Sequence, residues 1–391
     1  MMNLTSALCA RVSALFGVHF FGYGLFLPFF PVILEFEGFS AAEIGFVLGA
    51  GTVARIAASP LLTNLADRTG QRRWSIFVYS LLGTVFIALF ALGNGLYVLG
   101  AGVIGYMVFK APVLPLSDAY ALDAARNTGA DYARMRLWGS AGFVAANLAG
   151  GFLATGDTVW VMLFLIGMAS LLTGGVVLSL PRQSGAESSE GLDEEVGEAP
   201  FKTVWFWPVL ILLGLFQATH AAFYGFGTLY WQAAGIADET IGILWAVGVI
   251  AEIALFTVAG KIALRFDPPV FLIVAGIAAI ARWGLFPFAD TLVSMVAIQL
   301  LHALTFGAAH LGAIAILAKV VPSKWAGTGQ GLLATSIGLQ MAIGLSVCGA
   351  LYEMDPDLPF YLMAAVSAAG TLVMLALTPM VRQRMASSLV R

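Results

Sequence analysis

Charge is what this chain has least of. Only 10% of its 391 residues are Asp, Glu, Lys or Arg, against ~25% in a typical soluble domain. With 60% of the residues hydrophobic, there are too few charges to clothe a water-soluble globule, and that class is excluded. Cysteine is almost missing too. Cys9 and Cys348 each lie in an apolar run, which excludes a disulfide framework and leaves the redox compartment unread. Enzyme signatures are also absent: no Gly-x-Ser-x-Gly, no His-Glu-x-x-His or other zinc spacing, and no phosphate loop. Neither catalysis, nor a metal, nor a cofactor is expected.

What the chain has instead is long apolar runs. A membrane-spanning helix needs ~20 mostly apolar residues. Twelve segments qualify, at 8–34, 41–64, 74–93, 95–121, 136–155, 158–180, 204–231, 240–263, 269–288, 291–318, 327–352 and 359–381. The first run, Val12 to Leu34 behind Arg11, exceeds the ~7–15 residues of a signal-peptide core and shows no cleavage site, so it is expected as an uncleaved span. The fold class expected is an all-α membrane protein of twelve transmembrane helices.

The sparse charges are segregated. Of the 19 Lys and Arg, Arg55, Lys110 and Arg282 fall inside spans, and the others all fall on one side of a twelve-span arrangement. The opposite loops hold only acids: Glu35, Glu37, Glu43, Asp157, Asp238, Glu239, Asp290, Glu353, Asp355 and Asp357. A miscounted span would scramble this pattern. The positive-inside rule then places both termini in the cytoplasm, for a multi-pass protein of the inner (plasma) membrane.

One stretch fits neither a span nor a tight loop. "RQSGAESSEGLDEEVGEAPFK", residues 182–202, is acidic and rich in Gly and Ser, as a flexible cytoplasmic linker would be. It divides the chain into an N-terminal six-helix bundle (1–181) and a C-terminal one (203–391). The halves echo each other. "HFFGYG" at His19 and "HAAFYG" at His220 share His-x-x-x-Tyr-Gly, and "EIGFVLGAGTVARIA" aligns with "TIGILWAVGVIAEIA", setting Arg55 opposite Glu252. Two such halves around a midplane site are a transporter plan.

After span two comes "TNLADRTGQRR", which resembles the Gly-x-x-x-Asp-Arg-x-Gly-Arg-Arg signature of the major facilitator superfamily. Asp67, Arg68, Gly70 and Arg72 match; Thr63 and Gln71 depart from it. In the second half, "GKIALRFDPP" keeps Gly260 but has Leu264 at the acid's position. Within that superfamily, "YGLFLPFFPV", "GAGTVARI", "PVLPLSDAYA", "DYARMRLWGS", "HAAFYGFGTLYWQAAG", "GVIAEI" and "ARWG" are similar to the 3-phenylpropionate transporter type, a group of proton symporters allied to the oligosaccharide and nucleoside symporters. The resemblance implies two pseudo-symmetric six-helix bundles, a monomer, and a cavity lined by spans one, four, seven and ten.

Candidate working residues follow from the cost of polarity in lipid. A charge at the centre of a spanning helix costs ~2.5–3.5 kcal/mol, so intramembrane ionisable groups are functional candidates. Glu252 lies about twelve residues, roughly 18 Å of helix, from either end of its span, and Arg55 stands at the equivalent depth; they are the proton-coupling candidates. The competing reading is a static ion pair. For substrate, the candidates are the cations Arg55, Lys110 and Arg282, which suit an anion, and His19, Tyr23, His220, Tyr224, His302 and His310. His19 with Tyr23, and His220 with Tyr224, share a face at i, i+4; His302, Phe306 and His310 share another. For Lys110 and Arg282 the competing reading is snorkelling or pairing with an acid. Asp67, Arg68, Gly70 and Arg72, with Asp118 and Arg136, are candidates for a cytoplasmic gate, because Asp–Arg pairs between helix ends can latch one conformation. Pro112 and Pro115 should kink span four.

The function expected is proton-coupled uptake of a small organic anion, such as an aromatic carboxylate, by alternating access. Alternatives are a drug- or metabolite-type proton antiporter and a nucleoside or sugar proton symporter. An intramembrane enzyme or sensor is the reading from another class. The partners are a small-molecule substrate, protons and the lipid bilayer, with no nucleic acid.

Overall fold

A computed structural model describes residues 4–154, 158–182, 200–263 and 265–388. The linker expected at 182–202 therefore lies outside the described residues except at its ends, as do Asp157 and Leu264. The described chain is helical throughout: α1 (Leu4–Phe36), α2 (Ala41–Thr69), α3 (Arg72–Leu92), α4 (Leu96–Lys110), α5 (Val113–Thr128), α6 (Tyr132–Gly151), α7 (Val159–Leu178), α8 (Phe206–Ala218), α9 (Ala221–Ala233), α10 (Asp238–Ala263), α11 (Pro268–Leu285), α12 (Leu292–Leu300), α13 (Ala309–Val320), α14 (Ala326–Met354) and α15 (Leu358–Ser388).

Each of the twelve expected spans corresponds to one helix or to a pair separated by a short break. Among the described residues, eleven of these are long and apolar enough to cross a bilayer. The other is α6, which opens with Arg134 and Arg136 and is rich in Gly and Ala. That composition suits a helix sheltered by a neighbour, and α6 packs along α1. At their closest approach, a Cβ on Gly142 would collide with the backbone carbonyl of Gly17, so only glycine permits this spacing. Large apolar side chains such as Phe46, Val85, Phe164, Ile343 and Leu372 are exposed, as a lipid-facing surface requires.

Local chemistry sets the helix ends. Ser40 caps α2 through a reciprocal box with Glu43: each side chain accepts from the other's backbone N–H, at 3.3 and 2.8 Å. Gly70 ends the same helix at φ +65°, a left-handed conformation that costs an L side chain but not glycine.

Three spans are interrupted midway. α4 gives way to α5 at Ala111–Pro112, where proline supplies no N–H to continue the helix. α8 gives way to α9 at Thr219–His220, and α12 is followed by a π-helical turn, Ala303–Ala308, before α13. Irregular backbone at membrane depth must find its hydrogen bonds elsewhere. One such bond is visible: Gln217 donates to the Phe306 carbonyl inside the π turn at 3.2 Å.

The described chain divides into two compact units. The first comprises Met1–Glu187 with Gly225–Ala246, the second Ser188–Tyr224 with Val247–Arg391. The core of the first is built from residues such as Val12, Leu15, Phe16, Ile76, Leu116 and Tyr120. Within the same unit, Thr228 donates to the Pro28 carbonyl at 2.6 Å and accepts from Trp245 Nε1 at 3.0 Å. The core of the second is built from Phe206, Leu213, Phe216, Leu272, Ala309 and Ile316.

Candidate functional site

Polar groups gather at the three breaks, and those of the second unit form one connected network. Arg282, from α11, is 0% exposed. Its Nη2 donates to Gln299 Oε1 at 2.7 Å, and its Nη1 donates to Thr305 Oγ1 and to His302 Nδ1, each at 2.9 Å. The guanidinium lies 5.0 Å from the Phe223 ring centroid and 4.5 Å from that of Trp283, so a charge buried in lipid-depth protein is held by neutral acceptors and π faces.

The donor inventory fixes the histidines. A guanidinium only donates, so His302 Nδ1 must accept and its proton belongs on Nε2. That Nε2 points at Glu252, lying 3.5 Å from its Oε2, an electrostatic contact longer than a hydrogen bond. On the other side, His220 Nδ1 donates to the Gln217 carbonyl at 3.0 Å, which leaves Nε2 to accept from Thr305 Oγ1 at 3.1 Å. Thr305 therefore accepts from Arg282 and donates to His220. The result is a directional chain, Glu252–His302–Arg282–Thr305–His220, built across α10, α11, the π turn and the α8–α9 break. Glu252 retains 22% side-chain exposure, whereas His220 and Arg282 are sealed.

The aromatic order is equally regular. His302 stacks on Phe306 at 5.4 Å and Phe306 on His310 at 6.3 Å, with interplanar angles of 21° and 6°. The shared face expected for these three residues is thus present. His310 itself is exposed. His220 and Tyr224 face each other at 5.5 Å.

In the first unit, buried polar atoms near the α4–α5 break lack hydrogen bonds. Lys110, the last residue of α4, is 8% exposed and its Nζ has no hydrogen-bond partner. His19 Nδ1 and the Tyr106 hydroxyl are likewise buried without one. Tyr23 packs on Phe143 at 6.0 Å. Arg55 is half-buried and makes no ion pair among the described residues; the acid aligned with it in sequence, Glu252, faces His302. Each stands fourteen residues beyond the start of its helix, Ala41 and Asp238 respectively.

At the α2–α3 turn, Arg72 pairs with Asp67 at 2.8 Å and with Asp123 on α5 at 2.7 Å. Gly70 closes the turn, and Arg68 is exposed without an ion pair among the described residues. Asp118 accepts from the Tyr132 hydroxyl at 2.9 Å, with Arg136 Nε at 3.9 Å; Arg136 also lies 4.1 Å over the Phe20 ring. In the second unit, Arg382 pairs with Asp267 at 2.6 Å.

Sequence reasoning missed Gln299, Thr305 and Tyr106, because it searched spans for charge, and missed Asp123, in the last turns of α5, and Asp267, at the N-cap of α11. Gln299 and His302 are spaced i, i+3 in an otherwise apolar run, a polar face that was there to be read.

An all-helical, polytopic chain with its polar groups buried at helix breaks has the build of a membrane carrier. The description "MFS_1 like family" matches residues 10–363, and the chain belongs to that family, one of transporters of the major facilitator superfamily and not of enzymes. It is 32% identical, over 357 residues, to the "Probable 3-phenylpropionic acid transporter" of Escherichia coli (strain K12), covering 89% of this chain and 92% of that one. It is 23% identical to the "Quinolone resistance protein NorA" of Staphylococcus aureus (strain COL), over 91% of this chain and 92% of the other. Among solved structures, that of the nucleoside transporter NupG superposes with a TM-score of 0.83 at 18% identity, over 95% of this chain and 99% of that one. This last likeness bears on the fold alone.

Proposed function

We propose that this protein is a proton-coupled importer of a small organic anion, an aromatic carboxylate such as a phenylpropionate, working by alternating access in the inner membrane as a monomer with both termini in the cytoplasm. The observation that carries the coupling is the contact of Glu252 with His302 at 3.5 Å. A carboxylate paired to an arginine resists protonation, since neutralising it strands the partner. Glu252 faces a neutral His302 whose orientation Arg282 holds, so it can take up and release a proton while the rest of the network stays satisfied. Arg55, at matching depth, is the cation that Glu252 or the substrate meets at another stage of the cycle.

The substrate class is supported by buried cations and aromatic walls in both units, and by the 32% identical relative, described as a probable 3-phenylpropionic acid transporter. His19, Tyr23, His220, Tyr224, His302 and His310 complete the proposed lining. Export of a cationic compound would have to place positive charge beside Lys110 and Arg282, which opposes the antiport alternative. Asp67, Arg68, Gly70, Arg72, Asp118 and Arg136 serve in this reading as the cytoplasmic gate. The halves 1–181 and 203–391 are the rocking bodies and 182–202 is their tether.

Proteoliposomes test the proposal. Wild-type protein should accumulate labelled 3-phenylpropionate when the outside is acidic, in preference to nucleosides and sugars. Glu252→Gln should abolish gradient-driven accumulation yet keep exchange of substrate across the membrane. Unaltered, pH-dependent accumulation in that variant would overturn the assignment of Glu252.

A further inference from the structure

The two buried cations are not equivalent. Arg282 already has neutral acceptors at 2.7, 2.9 and 2.9 Å and aromatic faces beside it. Lys110 has none of these: its Nζ is buried without a hydrogen bond, and the ion pairs of the first unit engage Arg72, Arg126 and Arg136 instead. A buried ammonium without an anion is expensive, and α4 ends on it because Pro112 follows.

The surroundings share this incompleteness. Tyr106 lies one turn before Lys110 on the same face of α4, 1% exposed, and its hydroxyl is unpartnered. Across from them on α1, a Cβ placed on Gly22 would sit 3.8 Å from Lys110 Nζ and 2.9 Å from Ala169 Cβ, so glycine lets α1 pass close to the ammonium and to α7. His19, one turn earlier on α1, is within electrostatic range of Lys110 and has an orphan Nδ1. An ammonium, a phenol hydroxyl and an imidazole nitrogen, each buried without a hydrogen bond, lie on neighbouring turns of α4 and α1. A carboxylate's two oxygens, with about four lone-pair sites, are the complement to such donors. Next to them the Phe26 ring packs on Tyr106 at 5.0 Å and on Phe30 at 4.5 Å, an apolar aromatic wall for a flat substituent.

We infer that Lys110, with Tyr106 and His19, is the carboxylate-recognition site of this transporter, and that Arg282 is a positioning residue for His302 that does not grip the substrate's charge. This rests on the organic-anion reading above and says which cation carries it.

The test compares the affinity of purified protein for 3-phenylpropionate and for its uncharged analogue 3-phenylpropanamide. Wild type should prefer the acid. Lys110→Gln should lower that preference by about tenfold or more, Lys110→Arg should restore part of it, and Tyr106→Phe, which removes only a hydroxyl, should lower it several-fold. Arg282→Lys should impair transport while keeping the acid-over-amide ratio. If Lys110→Gln and Tyr106→Phe both keep the wild-type ratio, the assignment to this site is wrong though the anion reading stands. Should Lys110→Gln fail to fold, Tyr106→Phe alone decides. If wild type binds neither aryl acid nor amide, the anion reading and this inference fall together.

Discussion

Removing one hydroxyl gives the sharpest stability test of the second unit. Thr305→Val keeps the branched shape but deletes Oγ1, which joins Arg282 Nη1 at 2.9 Å to His220 Nε2 at 3.1 Å. Three spans meet at that atom: α11 through Arg282, span seven through His220 at its break, and span ten through the π turn. Interhelical hydrogen bonds in membrane proteins are worth about 0.6 kcal/mol on average and up to about 1.7. Here two are lost, one of them to a charged donor, and both partners are sealed from water, so nothing replaces the missing contact. The expected cost is on the order of 1–3 kcal/mol. Equilibrium unfolding in mixed micelles, followed by tryptophan fluorescence, measures it; Trp283, whose ring lies 5.3 Å from His220, reports locally. Thr305→Ser keeps the oxygen and should lose less than half as much. If valine costs under about 0.5 kcal/mol, or serine costs as much as valine, the hydroxyl is not the joint between these spans.

Other outcomes follow from the first unit. Gly142→Val must push α6 off α1, because even a Cβ would strike the Gly17 carbonyl; overpacking of this kind costs about 1–3 kcal/mol, read as a lower thermal midpoint in detergent, and an unchanged midpoint refutes the close approach. A double-mutant cycle on Arg72 and Asp123, which are about a quarter exposed, should give a coupling of no more than about 1 kcal/mol that weakens with added salt. A coupling that salt leaves untouched would mean the pair is more deeply buried than it is here.

Much of the fold was legible because a bilayer imposes one rule on every segment. A run of ~20 apolar residues must be a helix there, and loop charge sets the count, so composition located the spans. Helix α6 is the instructive exception. Its hydropathy is too weak to qualify alone, yet its place was forced by the alternation of the flanking charges and is occupied by packing on α1. The breaks were less visible. Pro112 announces the one in span four, but nothing in "QATHAAF" or "HALTFGAA" declares an interruption or a π turn, because these depend on what neighbouring helices offer the freed backbone groups.

By itself the sequence determined which chemistry lies at membrane depth: Glu252, Arg55, Lys110, Arg282 and the four histidines lie in apolar runs whatever the packing, since helix length and bilayer thickness fix their depth. Only the tertiary structure decided who meets whom. It set His302 beside Glu252, surrounded Arg282 with Gln299, Thr305 and His302, and left the Lys110 ammonium without a hydrogen bond. The reason is geometric. Depth along a helix is a property of one segment, but a hydrogen bond across 3 Å depends on the rotation and spacing of several segments far apart in the chain.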